Sequence, residues 1–236
     1  MRALVVGASG GIGAAVVKLL IADPRVNHVT AWSRTRPAGL PPDVTHAQMN
    51  ILDEPSIAAA SISLGEVDLV FVATGVLQNM SANIRAEKTW RSLDADMMWR
   101  SFEVNTIGPA LIAKHVLPCL PRERRSVFAI LSARVGSIGD NRSGGWYSYR
   151  ASKAALNQII RCLAIELAPR WPEAICVGLH PGTVDTQLSK PFQANVASAK
   201  LFSAEQSARH LLHVIDGLEP PHSGRVFDWA GIEVQP

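Results

Sequence analysis

The sequence predicts an α/β fold, a doubly wound parallel sheet of about seven strands held between two layers of helices. Short β-branched apolar runs alternate with longer stretches of helical period, the order expected of successive βαβ units. Most of these short runs are apolar throughout, as strands covered on both faces should be. The chain has 236 residues, 47% of them hydrophobic, enough for one large domain with a substantial core. No internal repeat or low-complexity linker divides it, so a single domain over residues 1–236 is expected.

The strands are expected, in order, at residues 4–6, 28–32, 44–49, 68–73, 127–131, 174–179 and 225–227. The first is Leu-Val-Val running into glycine, and the fourth and fifth are equally apolar. Helical spacing of apolar residues places helices at 11–22, 55–62, 94–117, 149–168 and 204–217. In the fourth of these, Ala151, Ala155, Leu156, Ile159, Ile160, Leu163 and Leu167 recur at helical intervals. The Pro-rich stretch 37–42 and the Pro220-Pro221 pair read as turns. Two longer irregular stretches, 76–93 and 182–203, follow strands. In an open α/β sheet ligands bind beyond the carboxyl ends of the strands, so these stretches are expected to rim a substrate pocket.

Composition excludes several classes. Neither a disordered nor a collagen-like chain fits, and no apolar run approaches the roughly 18 residues that span a bilayer. The N-terminal apolar run is too short for a signal peptide, so a cytoplasmic protein without a membrane partner is expected. The net charge of +3 comes from 23 basic and 20 acidic residues. Only Arg122, Arg124 and Arg125 cluster, beside Pro121, and they read as a solvated loop rather than a nucleic-acid surface. Cys119, Cys162 and Cys176 are scattered and form no C-x-x-C pair, which argues for reduced thiols and no metal ribbon. His210 and His213 lack a third ligand and read as a solvated helix face. Met97, Met98 and Trp99 could line a substrate pocket, but a helix packing face is the preferred reading.

The first candidate site is Gly7-Ala8-Ser9-Gly10-Gly11-Ile12-Gly13, between the first strand and the first helix. Glycines there permit a tight turn and let backbone N–H groups approach a phosphate, which the N-terminal dipole of the helix also attracts. The second strand then ends in Ser33 and Arg34. An NAD site usually carries a carboxylate here for the ribose 2′-hydroxyl. A guanidinium suits a 2′-phosphate instead, so NADP(H) is the preferred cofactor and NAD(H) the alternative.

Tyr149 and Lys153 lie four residues apart at the start of the helix over 149–168, on one face. A free phenol titrates near 10, and a neighbouring ammonium favours the phenolate. Lowering it by about three units corresponds to about 4 kcal/mol. Such a tyrosine can exchange a proton with a carbonyl oxygen while a nicotinamide exchanges hydride.

Taken together, the glycine turn, Asn105 in Phe102-Glu103-Val104-Asn105-Thr106, the Tyr149/Lys153 pair and Pro181-Gly182-Thr183-Val184-Asp185-Thr186 resemble the short-chain dehydrogenase/reductase family over essentially the whole chain. Residues 144–150 and the ending Phe227-Asp228-Trp229 look like its C-factor-like branch, which includes small carbonyl reductases. The resemblance implies a Rossmann-type NADP-dependent carbonyl reductase or alcohol dehydrogenase, with a small carbonyl or alcohol substrate and a homodimeric or homotetrameric assembly. It makes Tyr149 the general acid/base, Lys153 the group that lowers its pKa and holds the nicotinamide ribose, and Asn105 the residue that kinks its helix and holds a relay water. Pro181, Gly182, Val184 and Thr186 would bracket the nicotinamide carboxamide, and Asn50 and Ile51 would touch the adenine. Gly7, Ser9, Gly11, Ile12 and Gly13 would cradle the phosphates, and Ala73, Thr74 and Gly75 stand where the family is usually rich in Asn. The substrate-orienting serine is ambiguous. Ser132 is the candidate, Ser137 the substitute, and the commonest alignment puts Ala133 in that place. His180, Trp146 and Phe192 are expected as pocket walls. A dinucleotide-binding signalling protein with little catalysis is the alternative reading.

Overall fold

The computed structural model describes residues 1–78, 85–195, 197 and 200–236. Nine strands are found among them: β1 (Arg2–Val6), β2 (His28–Ser33), β3 (Thr45–Gln48), β4 (Leu69–Val72), β5 (Ser126–Leu131), β6 (Ala174–His180), β7 (Thr183–Val184), β8 (Leu201–Phe202) and β9 (Val226–Asp228). Seven make one parallel sheet in the order β3-β2-β1-β4-β5-β6-β9, and β7 pairs only with β8. The helices are α1 (Gly11–Ala22), α2 (Glu54–Ile62), α3 (Ala95–Phe102), α4 (Gly108–Val116), α5 (Tyr147–Leu167) and α6 (Ala204–Asp216).

Alternation along the strands feeds two apolar layers. Ala3 and Val5 of β1 and Phe71 of β4 face α1 and α6, meeting Val16, Leu20, Leu211 and Ile215. Their neighbours Leu4, Val6 and Val70 face α2, α4 and α5, meeting Ile57, Ile112, Val116, Leu156 and Ile160. Each of the larger side chains among them, fully buried, contributes about 1.5–3 kcal/mol. Among the described residues no helix is long and apolar enough to cross a membrane.

The chain runs outward from β1 to β3, then returns to start again at β4 on the other side of β1. The carboxyl ends of β1 and β4 therefore flank the point where the winding reverses, which opens a crevice. Gly7 turns there with φ +84°, and a Cβ on it would lie 3.1 Å from the Ala73 carbonyl. Gly13, one turn into α1, comes so close that a Cβ would sit 2.3 Å from the Gly7 carbonyl oxygen.

Two expectations are corrected in detail. The helix expected over 94–117 is broken by a π-helical turn, Glu103–Ile107, between α3 and α4. The stretch 182–203, expected to be irregular, contains the β7–β8 pair. Residues 79–84, 196 and 198–199 of the two expected rim stretches lie outside the described residues. The arginine loop is exposed, as expected, and its cations also find partners in the chain. Arg124 pairs with Glu66 and Asp68 at 3.0 and 2.9 Å, Arg125 donates to the Ile215 carbonyl at 2.6 Å, and Arg122 lies over the Trp171 ring.

Gly13→Ala is expected to destabilise the protein by about 1–3 kcal/mol, because the added methyl meets backbone rather than a movable side chain. Urea unfolding of the variant against the wild type checks this.

Candidate active site

A cavity of about 720 Å³ opens at the winding reversal. Its inner wall brings together Gly7, Ser9, Ser33, Arg34, Asn50, Ile51, Ala73, Thr74 and Gly75, all singled out from the sequence. Above it α1 begins without a side-chain cap and with no acidic residue in its first turn, so its leading N–H groups are available to an anion. Gly11 approaches Thr186 so closely that a Cβ would lie 2.8 Å from the threonine methyl, which brings the 181–186 segment against the glycine turn. The Ser207 hydroxyl donates to the Pro181 carbonyl at 2.9 Å, and Ser189 donates to the Val184 carbonyl. Gly182 adopts φ +76° against the Phe202 ring. Ile12 turns the other way and packs on the core.

The outer wall is formed by Asp96, Trp99, Arg100, Glu103 and Val104. Trp99 follows the alternative reading rather than the packing one: it is 62% exposed and lines the cavity. The residues fit a dinucleotide. A side chain at Gly7 or Gly13 would collide with the backbone that forms the turn, Arg34 supplies a cation, and the buried Thr74 hydroxyl has no partner among the described residues.

The candidate reacting end is organised by Asn105 inside the π-helical turn. Its side chain accepts from the Val76 N–H at 2.8 Å, donates to the Val76 carbonyl at 2.8 Å, and donates to the Ser152 hydroxyl at 3.1 Å. Ser152 in turn donates to the Tyr149 carbonyl at 2.9 Å, while Thr106 donates to the Ser152 carbonyl at 2.7 Å. Lys153 is buried, donates from Nζ to the Leu131 carbonyl at 2.8 Å, and stands 5.9 Å from the centre of the Tyr149 ring. A Cβ on Gly75 would lie within 3.7 Å of both Asn105 Oδ1 and Lys153 Nζ. Tyr149, Lys153, Asn105 and Gly75 are therefore neighbours.

Burial sets the ionisation here, and in the opposite sense to the sequence expectation for the tyrosine. It pushes the Tyr149 phenol up to about 12 and the Lys153 amine down to about 7. At 5.9 Å from the ring centre, the amine does not offset the loss of water around the phenol. His180 is likewise pushed down to about 4 by burial, against an opposing pull from Asp228.

Ser132 turns away from this group. Its hydroxyl donates to Asn157 Oδ1 at 2.5 Å. Ala133 packs with Tyr149 and Leu77 in a small apolar cluster, with Trp146 and Phe192 against it. Ser137 is held by the Pro236 carbonyl and the Asp140 N–H. Trp146 and Phe192 meet edge to face at 5.0 Å beside Tyr149. His210 does not lie on a solvated face: its ring packs between Phe202 and Trp229, at 5.1 and 5.4 Å.

The structure adds Glu87, which no local pattern marks. It is buried, and its carboxylate accepts from the Ser148 N–H and hydroxyl at the start of α5, while its backbone carbonyl accepts from the Trp146 N–H. Trp146 itself is left-handed, at φ 52°, and gives α5 no side-chain cap. Glu87 does so from 61 residues away.

The short chain dehydrogenase family model matches residues 1–197. This chain belongs to that family. It is 39% identical over 166 residues to C-signal of Myxococcus xanthus, covering 69% of this chain and 95% of that protein. It is 35% identical over 181 residues to 1-hydroxy-2-glutathionyl-2-methyl-3-butene dehydrogenase of Rhodococcus sp. strain AD45, covering 75% of this chain and 74% of that one. Among solved structures, the NADPH-bound carbonyl reductase from chicken fatty liver superposes with a TM-score of 0.81 at 25% identity, over 100% of this chain and 98% of that one. The family is one of oxidoreductases that bind a nicotinamide dinucleotide.

The Lys153 shift has a measurable sign. Its folded pKa lies below the ordinary 10.5, so burying the charged amine costs stability in full below about pH 7. That cost disappears as pH rises toward the unfolded value. The stability gained by Lys153→Met over wild type should therefore shrink as pH rises from about 7 to 10.5; urea unfolding across that range measures it.

Proposed function

We propose that the chain is an NADP(H)-dependent oxidoreductase that interconverts a small carbonyl and its alcohol. The observation that carries this reading is the buried group of Tyr149, Lys153 and Asn105 against Gly75, at the edge of a cavity built for a dinucleotide. The likeness to an NADPH-bound carbonyl reductase supports both cofactor and substrate class.

The glycine turn and the start of α1 would hold the pyrophosphate, Ser33 and Arg34 the 2′-phosphate, Asn50 and Ile51 the adenine. Ala73, Thr74 and Gly75 would line the path between them, and Pro181, Gly182, Val184 and Thr186 would meet the nicotinamide carboxamide. When bound, NADPH supplies hydride to the carbonyl carbon. The chain supplies the proton. Burial keeps the Tyr149 hydroxyl protonated through neutral pH, so it donates to the carbonyl oxygen as charge develops there. Lys153 Nζ, fixed on the Leu131 carbonyl, would hold the cofactor ribose, and Asn105 keeps Val76 and α5 in place around it. Leu77, Ala133, Trp146 and Phe192 give the reacting centre an apolar wall, which suits a hydrophobic carbonyl and excludes water. Ile107, at the junction with α4, and Ile165 of α5 are exposed, as expected if these helices join copies of the chain into a dimer or tetramer.

A second reading, a dinucleotide-binding signalling protein with little turnover, is favoured by Ala133 beside Tyr149 and by the similarity to C-signal. NADPH oxidation over a panel of aldehydes and ketones separates the two. Turnover with at least one of them is expected, and a stably folded protein that binds cofactor yet converts none would favour signalling.

Tyr149→Phe should lower kcat by about 10²-fold or more while leaving cofactor binding intact; undiminished turnover would overturn the mechanism. Ser132→Ala is expected to keep kcat/KM within about threefold of wild type, a difference under 1 kcal/mol, because its hydroxyl is bonded to Asn157. A loss comparable to that of the tyrosine variant would restore Ser132 as the substrate-orienting group.

A further inference from the structure

Ser33 closes β2 and lines the cavity beside Arg34. Its hydroxyl donates to the Thr35 carbonyl at 2.8 Å and lies 3.0 Å from Nε2 of His46, on the neighbouring strand β3. A hydroxyl has one proton, and the carbonyl takes it. The imidazole must therefore donate from Nε2, leaving Nδ1 as the nitrogen that gains a proton on acidification. The stretch Ser33-Arg34-Thr35-Arg36 contains no carboxylate, and Arg36, bonded to the Pro41 carbonyl at 3.2 Å, is the charged group that acts on the imidazole. Arg34 stands on the cavity wall, and the other histidine of this strand pair, His28, is engaged by Thr45 at 3.2 Å.

From this arrangement we propose that His46 is a positioning residue of a 2′-phosphate subsite, acting through Ser33 and making discrimination of NADP from NAD depend on pH. The proposal rests on the cofactor reading above. The imidazole holds the Ser33 oxygen from behind, so the hydroxyl can swing its proton from the Thr35 carbonyl to a phosphate oxygen without losing its other bond. Once Nδ1 is protonated, the ring adds a positive charge behind that hydroxyl.

The sign follows from the surroundings. Burial and Arg36 hold His46 below its ordinary 6.5, so it is neutral at pH 7 in the chain alone. A phosphate dianion offsets the repulsion from Arg36 and raises it. Binding of NADP then takes up a proton, and by linkage its affinity rises as pH falls into the histidine range. NAD has no 2′-phosphate and gains nothing. The phosphate itself titrates near 6, an effect common to every variant, so the informative quantity is the difference between wild type and His46→Gln. Glutamine can still donate to Ser33 but carries no titrating group.

The test is calorimetric titration of NADP⁺ and NAD⁺ into wild type, His46→Gln and Arg34→Ala at about pH 6 and about pH 8. The expected result is NADP⁺ binding about fivefold tighter to wild type than to His46→Gln at the lower pH, a gap that closes at the higher pH and is absent for NAD⁺. A gap of equal size at both pH values, or shared by NAD⁺, overturns the proposal. If Arg34→Ala removes a preference for NADP⁺ while the gap stays flat, only the role of His46 falls. If wild type binds both dinucleotides alike and Arg34→Ala changes neither, the cofactor reading falls and takes this one with it. Should His46→Gln not fold, the imidazole of the wild type is titrated by NMR. Its pKa should rise with NADP⁺ and not with NAD⁺, and an unchanged value overturns the proposal.

Discussion

One side-chain amide ties the site together. Asn105 gives both its oxygen and its nitrogen to the backbone of Val76, and shares a further bond with Ser152 of the helix that carries Tyr149 and Lys153. It can do so because the chain around it is π-helical: the wider turn at Glu103–Ile107 sets it apart from the regular spacing of α3 and α4. The segment after β4, the interrupted helix and α5 are thereby fixed relative to one another at a fully buried point. An unmade bond there would cost about 1–3 kcal/mol. Gly136 completes the arrangement by its lack of a side chain, since a Cβ on it would lie 2.9 Å from the Lys153 backbone.

Much of the fold was legible because strands buried on both faces declare themselves by composition, and α1 begins and ends where its glycines and apolar spacing place it. The resemblance implied a kink at Asn105, but helical spacing alone marked neither the bounds of the π-helical turn nor its wider winding. β7 and β8 were missed for a simpler reason: two residues carry no period at all.

The cofactor end of the site was legible for a different reason. There the proposed binding falls to the backbone, and glycine is the visible mark of a backbone that must be approached closely, as Gly7 and Gly13 show. The substrate end was harder to read. Whether residue 132 or 133 faces Tyr149 depends on the pleat at the end of β5, where a shift of one residue reverses the side chain. The sequence carries no such phase, and the structure turns Ser132 toward Asn157 and Ala133 toward the phenol. The ionisation of Tyr149 was likewise hidden, because it follows from how much water the fold removes. Trp99 shows the same limit: helical spacing says that an indole is present, not which way it faces.

The bond from Glu87 to the start of α5 has a mechanical meaning. The stretch ahead of the short helical turn Trp90–Ser92 and the helix bearing Tyr149 share one buried joint, at Ser148 and the left-handed Trp146. Whatever rests against that loop thus leans on the first turn of α5, one residue from Tyr149. If the loop meets the substrate and Tyr149 gives the proton, as proposed, recognition and chemistry are two ends of a single lever, and a mutation that reshapes the loop also retunes the aim of the proton donor.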